Sequence, residues 1–216
     1  MLTCLVDVDG TLIDSRQPIL SSLNDALAEH GQAPIKGTDL WRHVGPPLCE
    51  SLTDLLSERD GDLALVEPLI AAFRRHYSAA SVDMARSYEG IPELLARLLG
   101  KVRMGVVTSK PIQFARPILE ALGFAELMEA IEGPSIDGME PKTETLARAL
   151  RLLNHAPDTE GFVMIGDRHH DIEAARVNGI SSIGVTWGFG TLQELGEAGA
   201  DQIVESPVEL GGLLGV

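Results

Sequence analysis

Two aspartates, Asp7 and Asp9, stand one residue apart at the end of an apolar run near the start of the chain, in the segment LVDVDGTLIDS at residues 5–15. Side chains two residues apart in a strand share a face, and Gly10 permits a sharp turn directly after them. One carboxylate can attack a phosphorus atom and form an aspartyl-phosphate. The other can protonate the leaving oxygen and then deprotonate the water that hydrolyses the intermediate. The pair therefore indicates phosphoryl chemistry.

Further polar side chains stand where other apolar runs end. Thr108 and Ser109 follow KVRMGVV, while Asp167 follows GFVMIG and Asp171 comes four residues later in GDRHHD. Lys142 begins the helical pattern before the GFVMIG run. Because ligands of open parallel sheets bind beyond the carboxyl ends of the strands, these groups are expected to converge in one crevice.

Converging carboxylates repel each other, and burial makes their ionised forms more costly. A bound cation relieves both effects. Mg²⁺ prefers hard oxygen ligands and is commonly held by a few carboxylates, water and substrate phosphate. The acids, hydroxyls and lysine together predict a magnesium and phosphate site, in which Thr108 donates a hydrogen bond to the phosphoryl group.

The overall composition argues against several classes of protein. The chain has 216 residues and a formal net charge of −15, which disfavours binding to nucleic acid or to an anionic membrane. The sequence contains no apolar run long enough to span a membrane and no pattern of a signal peptide, so a cytoplasmic protein is expected. The two cysteines, Cys4 and Cys49, form no recognisable framework.

The order of elements predicts a doubly wound α/β fold. Six runs of mainly β-branched and apolar residues read as strands of a buried parallel sheet, each followed by a helical pattern. These runs lie at residues 2–8, 101–109, 129–136, 161–167, 181–187 and 201–206.

One long segment departs from this alternation. Residues 15–83 contain helical patterns but no convincing strand, and the segment is too long for a single crossover helix. The sequence therefore predicts a helical domain at 15–83, inserted into an α/β core formed by 1–14 and 84–216.

Four of these segments, in order, resemble the motifs of the haloacid dehalogenase-like (HAD) phosphohydrolases. They are LVDVDGTLIDS, VVTSK, the lysine of EPKTETLARAL, and MIGDRHHDIEAARVNGI. The resemblance covers nearly the whole chain and includes the inserted helices, which are similar to that superfamily's cap domain. It implies a Rossmann-like core and a phosphatase that depends on Mg²⁺.

The resemblance also implies a role for each motif residue. Asp7 would be the nucleophile and a magnesium ligand, and Asp9 would be the general acid and base with its backbone carbonyl on the metal. Thr108 would bind the phosphoryl group, with Ser109 beside it, and Lys142 would steady that group. The remaining two acids would complete the metal site, Asp167 as a ligand and Asp171 in support.

Within the superfamily, the chain looks most like the phosphoglycolate phosphatase group. The HVGPPLCESL segment and the VTWGFG segment also resemble a bacterial branch described as 5′-nucleotidase-like. The dehalogenases of the superfamily usually lack the second aspartate of the first motif, so Asp9 favours phosphoryl transfer. The expected substrate is a small phosphorylated metabolite, which the motifs do not specify further, and they indicate no oligomeric state.

Several residues keep a second interpretation. Lys110 can reach the same crevice as Lys142, and Asp171 can be simply a helix N-cap. The adjacent His169 and His170 invite a zinc site, but no further Cys or His stands at ligand spacing. Both Trp187 and Phe189 can line the substrate entrance, and both can instead pack in the core. Five further residues of the linker and the inserted helical domain can either determine substrate specificity or have a structural role: Arg16, Arg42, His43, Pro46 and Pro47.

Three alternative functions remain open. A signalling receiver also stores an aspartyl-phosphate on a parallel sheet, but the long insertion and the late GDRHHD segment count against it. A sugar phosphomutase would return the phosphoryl group to its substrate. A 5′-nucleotidase would use the same chemistry on nucleoside monophosphates.

Overall fold

A computed structural model describes residues 1–36, 39, 48–136, 140–153 and 161–216. The specificity candidates Arg42, His43, Pro46 and Pro47 lie outside these described residues. None of the described helices is both long enough and apolar enough to cross a membrane.

All six predicted strands are present, and they form one parallel sheet in the order β3-β2-β1-β4-β5-β6. The predicted doubly wound α/β fold is confirmed. The strands are β1 (Thr3–Val6), β2 (Arg103–Val107), β3 (Ala130–Glu132), β4 (Phe162–Gly166), β5 (Ser181–Val185) and β6 (Gln202–Val204).

The described helices follow in chain order. They are α1 (Arg16–Glu29), α2 (Leu48–Glu58), α3 (Val66–Asp83), α4 (Ile91–Leu98), α5 (Ile112–Ala121), α6 (Lys142–Leu152), α7 (His169–Asn178), α8 (Leu192–Ala198) and α9 (Pro207–Leu213). Short 3₁₀ turns lie at Leu63–Leu65 and Ala125–Leu127.

The strand order reverses at β1, and this places the first two acids at the switch point of the sheet. The chain moves outward from β1 to β2 and β3, then returns to pair β4 with the other side of β1. Val6 is the partner of Val106 on one side and of Ile165 on the other. The side chains after Val6 and after β4 therefore meet at the crevice where doubly wound folds bind ligands.

Helices α6 and α7 pack against one face of this sheet through small and branched side chains. Their buried cluster joins Leu5 and Met164 of the sheet to Leu146, Ala149 and Ala174 of the helices. In α6 the buried positions Lys142, Thr145, Leu146, Ala149 and Leu150 follow the helical period. This packing fixes the first turns of both helices at the carboxyl ends of β1 and β4.

The chain divides into two compact units, one made of residues 1–14 and 86–216, the other of residues 15–85. The sequence-based boundary at residue 84 lies two residues before the second division. In the smaller unit α3 packs against both α1 and α2. Within α3, the rings of Phe73 and Tyr77 stack with their centroids 5.1 Å apart.

Candidate active site

Asp7 is the first residue after β1, and the sheet fixes its backbone. Its N–H donates to Ile165 O across 2.9 Å, which extends the pairing of β1 with β4 by one residue. The Asp7 side chain is buried, with the residue 7% exposed. A carboxylate at this depth has little water to stabilise its charge and depends on neighbouring groups.

Asp9 lies in the turn after β1 and pairs with a lysine from the loop between β2 and α5. Lys110 Nζ lies 2.8 Å from Asp9 Oδ2, and the two side chains are 6% and 20% exposed. The sequence placed Lys110 in competition with Lys142 for phosphate. In the structure Lys110 does reach this crevice, where its ammonium pairs with the second aspartate of the first motif.

Thr108 follows β2 directly and is almost completely buried. Its N–H donates to Glu132 O at 3.0 Å, and its Oγ1 accepts a hydrogen bond from the Lys110 N–H at 3.1 Å. Because one lone pair of the hydroxyl is used in this way, its proton can be donated to another acceptor. Ser109, by contrast, is exposed.

Asp171 lies in the first turn of α7 and is fully buried. Its Oδ2 accepts the Arg168 N–H at 3.0 Å. The N-cap residue of α7 is Arg168, so Asp171 is not itself the N-cap but binds back to it from the third position of the helix. A Cβ on Gly166 would lie 2.0 Å from Asp171 Cγ, which explains the glycine before Asp167. The other carboxylate oxygen of Asp171 faces the lysine described next.

Lys142, at the start of α6, joins two of the acids. Its Nζ lies 2.9 Å from Asp7 Oδ1 and also contacts Asp171 Oδ1, and its side chain is 4% exposed. Burial opposes the charged form of Lys142, but the carboxylates of Asp171 and Asp7 outweigh this and raise the pKa of the ammonium. The lysine is therefore held as a cation between two carboxylates.

Asp7, Asp167 and Asp171 bring one carboxylate oxygen each to within 4.8 Å of one another, and all three residues are buried. Burial raises the pKa of Asp7 to about 6, against the attraction of Lys142. Burial, together with Asp171 and Asp7, raises the pKa of Asp167 to about 8. Three buried acids with one lysine among them leave negative charge that a divalent cation would stabilise, so this donor set fits Mg²⁺.

A loop after β5, which sequence reasoning did not connect with the acids, encloses Asp167. Asp167 Oδ2 accepts the Phe189 N–H at 2.7 Å, and Asp167 Oδ1 accepts the hydroxyl of Thr11 at 3.3 Å. A Cβ on Gly188 would lie 2.3 Å from Asp167 Oδ2, and one on Gly190 would lie 1.8 Å from Asp167 O. The two glycines spaced around Phe189 were the available signal, because they permit this close approach.

The adjacent histidines do not join the acids. His169 Nδ1 lies 2.7 Å from Glu194 Oε1, and the ring of His170 lies 3.8 Å from that of His169. Among the described residues, the only group of three or more potential metal-ligating side chains is Asp7, Asp167 and Asp171. The described part of the chain therefore offers no zinc site at the two histidines.

Residues 4–185 match the model of a protein family described as haloacid dehalogenase-like hydrolase. The chain belongs to this family. The resemblance inferred from the four motifs is thereby confirmed.

Three relatives of this haloacid dehalogenase-like hydrolase have curated names. A "Tyrosine-protein kinase PtkA" from Mycobacterium tuberculosis is 42% identical over 86% of this chain, which spans 62% of that relative's length. A "5'-nucleotidase" from Pseudomonas aeruginosa is 36% identical over 88% of this chain and 85% of its own. A "Phosphoglycolate phosphatase" from Agrobacterium fabrum is 33% identical over 86% of this chain and 80% of its own length. The last two names agree with the two groups predicted from the sequence.

A solved structure shares the fold of this family member. The crystal structure of a predicted phosphatase from Clostridium acetobutylicum superposes with a TM-score of 0.87 at 35% identity, and the match covers 99% of this chain and 97% of that one. The similarity therefore extends over both compact units of the chain.

Proposed function

We propose that this chain is a Mg²⁺-dependent phosphomonoesterase that hydrolyses a small phosphorylated metabolite through an aspartyl-phosphate on Asp7. One observation carries the proposal: Lys142 Nζ contacts both Asp7 and Asp171, beside a third buried acid, Asp167. A site of this kind combines a carboxylate nucleophile, a fixed cation and an all-oxygen donor set for a metal. The family match supports the same chemistry.

In the first step, a carboxylate oxygen of Asp7 attacks the phosphorus of the ester, and the bond from phosphorus to the leaving oxygen breaks. Asp9, which enters this step protonated, gives its proton to that oxygen, and the oxygen departs as an alcohol. The carboxylate that remains on Asp9 lies next to the Lys110 ammonium. The hydroxyl proton of Thr108 is available to a phosphoryl oxygen, because Thr108 Oγ1 accepts from the Lys110 N–H. Lys142 neutralises part of the charge that develops on the transferred group.

In the second step, water attacks the phosphorus of the aspartyl-phosphate while Asp9 accepts a proton from that water. Inorganic phosphate leaves, and the Asp7 carboxylate is restored. Asp9 can serve both steps because its loss of a proton in the first prepares it as the base for the second.

The direct ligands of the metal would be the carboxylates of Asp7 and Asp167 and the backbone carbonyl of Asp9. Asp171 would support these ligands. Bound there, Mg²⁺ would supply positive charge next to the phosphoryl oxygens.

Residues 15–85 are proposed to act as the cap that selects the substrate, with Arg16 among the candidate specificity residues. Exchanging Arg16 for Met should then change kcat/KM unequally across substrates, while a uniform change would contradict this part of the proposal.

The test is release of inorganic phosphate from a panel of phosphoglycolate, sugar phosphates and nucleoside monophosphates, with Mg²⁺ or with excess chelator. We expect phosphate release that depends on Mg²⁺ and a preferred substrate identified by kcat/KM. Isomerised sugar phosphate without net phosphate release would indicate a mutase. A stable phosphorylated protein without turnover would indicate a receiver. Unchanged activity in chelator would overturn the magnesium assignment.

Because the mycobacterial relative is named a tyrosine-protein kinase, transfer of phosphate to tyrosine should be measured on the same preparation. Incubation with labelled ATP, followed by phosphoamino-acid analysis, would detect transfer to tyrosine. Phosphotyrosine formation would favour a kinase over a phosphatase. Label confined to inorganic phosphate or to an aspartyl-phosphate would support the phosphatase.

A further inference from the structure

The loop between β5 and α8 contacts the turn of the first motif through one indole and contacts Asp167 through its backbone. We name the segment Thr186–Gly190 the β5–α8 loop. Trp187 Nε1 donates to Thr11 O at 3.0 Å, across 176 residues of sequence. Thr11 is itself almost completely buried, two residues beyond Asp9. The indole therefore ties the turn that carries the first motif to the loop after β5.

Thr11 and this loop act on the same carboxylate from two sides. The Thr11 hydroxyl donates to Asp167 Oδ1 and the Phe189 N–H donates to Asp167 Oδ2. With both oxygens engaged, rotation of the carboxylate about its Cβ–Cγ bond would break at least one hydrogen bond. The two donors thus set the plane in which the remaining lone pairs of Asp167 lie.

Gly10, in the turn of the first motif, and Gly188, in the β5–α8 loop, both lie against Asp167 with no room for a side chain. A Cβ on Gly10 would lie 2.1 Å from Asp167 Oδ2, and a Cβ on Gly188 would lie 2.3 Å from both Asp167 Oδ2 and Gly10 O. The loop and the first-motif turn are therefore packed backbone against backbone around this one carboxylate. A small displacement of either segment must move Asp167.

We propose that Trp187 and Thr11 are positioning residues that orient Asp167 as a magnesium ligand. The inference deepens the proposed function and rests on it for the identity of the metal. Partners that hydrogen-bond a ligating carboxylate commonly contribute 10- to 100-fold in metal affinity, although they never touch the ion. Trp187 acts one step further out, through the carbonyl of Thr11.

The experiment is titration of the full chain with Mg²⁺ alone, without substrate, by isothermal calorimetry. Thr11→Val removes the hydroxyl and keeps the side-chain shape, and Trp187→Phe removes the indole N–H and keeps an aromatic ring. We expect each to weaken Mg²⁺ binding by about tenfold. Thr11→Ser keeps the donor and should restore the parental affinity. If the two residues act through one path, the double variant should lose less affinity than the sum of the single variants in free energy.

A purely structural role is separated by thermal denaturation with and without Mg²⁺. A ligand that binds only the folded state raises its stability, so a positioning variant should lose part of this magnesium-dependent rise in Tm. Phe162→Leu, at the opposite end of β4, is the control: it should lower Tm equally in both conditions. Parental Mg²⁺ affinity in both Thr11→Val and Trp187→Phe would overturn the inference, as would a parent that binds no Mg²⁺.

Failure of this inference and failure of the proposed function give different results. If the parent releases phosphate in a Mg²⁺-dependent way and both variants bind Mg²⁺ normally, only the positioning roles are wrong. If the variants lose Mg²⁺ affinity but the parent hydrolyses no phosphomonoester, the positioning roles stand and the proposed reaction is wrong.

Discussion

Lys110 Nζ lies 2.8 Å from Asp9 Oδ2, and this ion pair links the loop after β2 to the turn after β1. The same residue donates its backbone N–H to Thr108 Oγ1. Lys110 therefore contacts both Asp9, the proposed acid and base, and Thr108, the proposed hydrogen-bond donor to the phosphoryl group.

Exchanging Lys110 for Met should lower kcat, because the Asp9 carboxylate loses the contact that holds it. Displacement of a catalytic group by about 1 Å can reduce the rate by about 100-fold, so a fall of 10- to 100-fold is expected. Steady-state phosphate release measures it, with the exposed Lys101→Met as the matched control. If Lys110→Met kept the parental kcat, the pair would have no part in orienting Asp9.

Exchanging Asp7 for Asn should abolish turnover, because an amide is a poor nucleophile toward phosphorus. We expect a loss of at least about 1,000-fold in kcat, as is usual when a nucleophile is removed. Circular dichroism should show an unchanged fold, and Asp25→Asn on the exposed side of α1 should behave as the parent. Near-normal phosphate release by Asp7→Asn would remove Asp7 from the role of nucleophile.

Adding a methyl group should lower the stability of the fold at Gly188 and raise it at Gly196. The new Cβ at Gly188 would lie 2.3 Å from Asp167 Oδ2, whereas nothing lies within 4 Å of the one at Gly196 in α8. Gly188→Ala should lower the free energy of unfolding by about 1–3 kcal/mol through overpacking. Gly196→Ala should gain about 0.5–1 kcal/mol from the higher helix propensity of alanine, or about 1–4 °C in Tm. Equal Tm shifts in the two variants would contradict the close packing around Asp167.

The pKa of Glu194 predicts a pH-dependent contribution to stability. Burial would raise this pKa, but the His169 N–H, the Arg168 guanidinium and the His169 ring lower it to about 2, from an ordinary value of 4.5. A carboxylate with a depressed folded-state pKa stabilises the fold above its unfolded pKa. This contribution should be complete above about pH 5 and fade as the pH falls from 4.5 toward 2.

The variant Glu194→Gln should therefore have a lower Tm than the parent at pH 7, and the difference should shrink below pH 4.5. Thermal denaturation across pH 3–8 measures this difference. Glu173→Gln, exposed on α7, serves as the control and should show no such trend. A Tm difference for Glu194→Gln that grows on acidification would contradict the sign of the shift.

The two cysteines should differ strongly in reactivity. Cys4 in β1 is completely buried, and burial raises its pKa to about 12, whereas Cys49 is exposed. Because the thiolate is the reactive form, a disulfide reagent should modify one thiol per native chain and the second only after unfolding. Cys49→Ser should eliminate the rapid reaction. Rapid loss of two thiols in the native protein would contradict the burial of Cys4.

Local patterns in the sequence were sufficient to predict the α/β fold, the six strands and the group of acids at the strand ends. Strands buried on both faces must be apolar, so the two acids Asp7 and Asp167 at the ends of such runs stand out. These features depend on residues close together in the chain. Periodicity and strand-end position therefore reveal them.

Only the tertiary structure decided which of these groups meet. It placed Lys142 between Asp7 and Asp171, assigned Lys110 to Asp9, and brought the Trp187 indole to Thr11 across 176 residues of sequence. Such contacts depend on strand order, register and the close approach of two loops. Those properties come from packing of the whole core, and no spacing within a single segment encodes them.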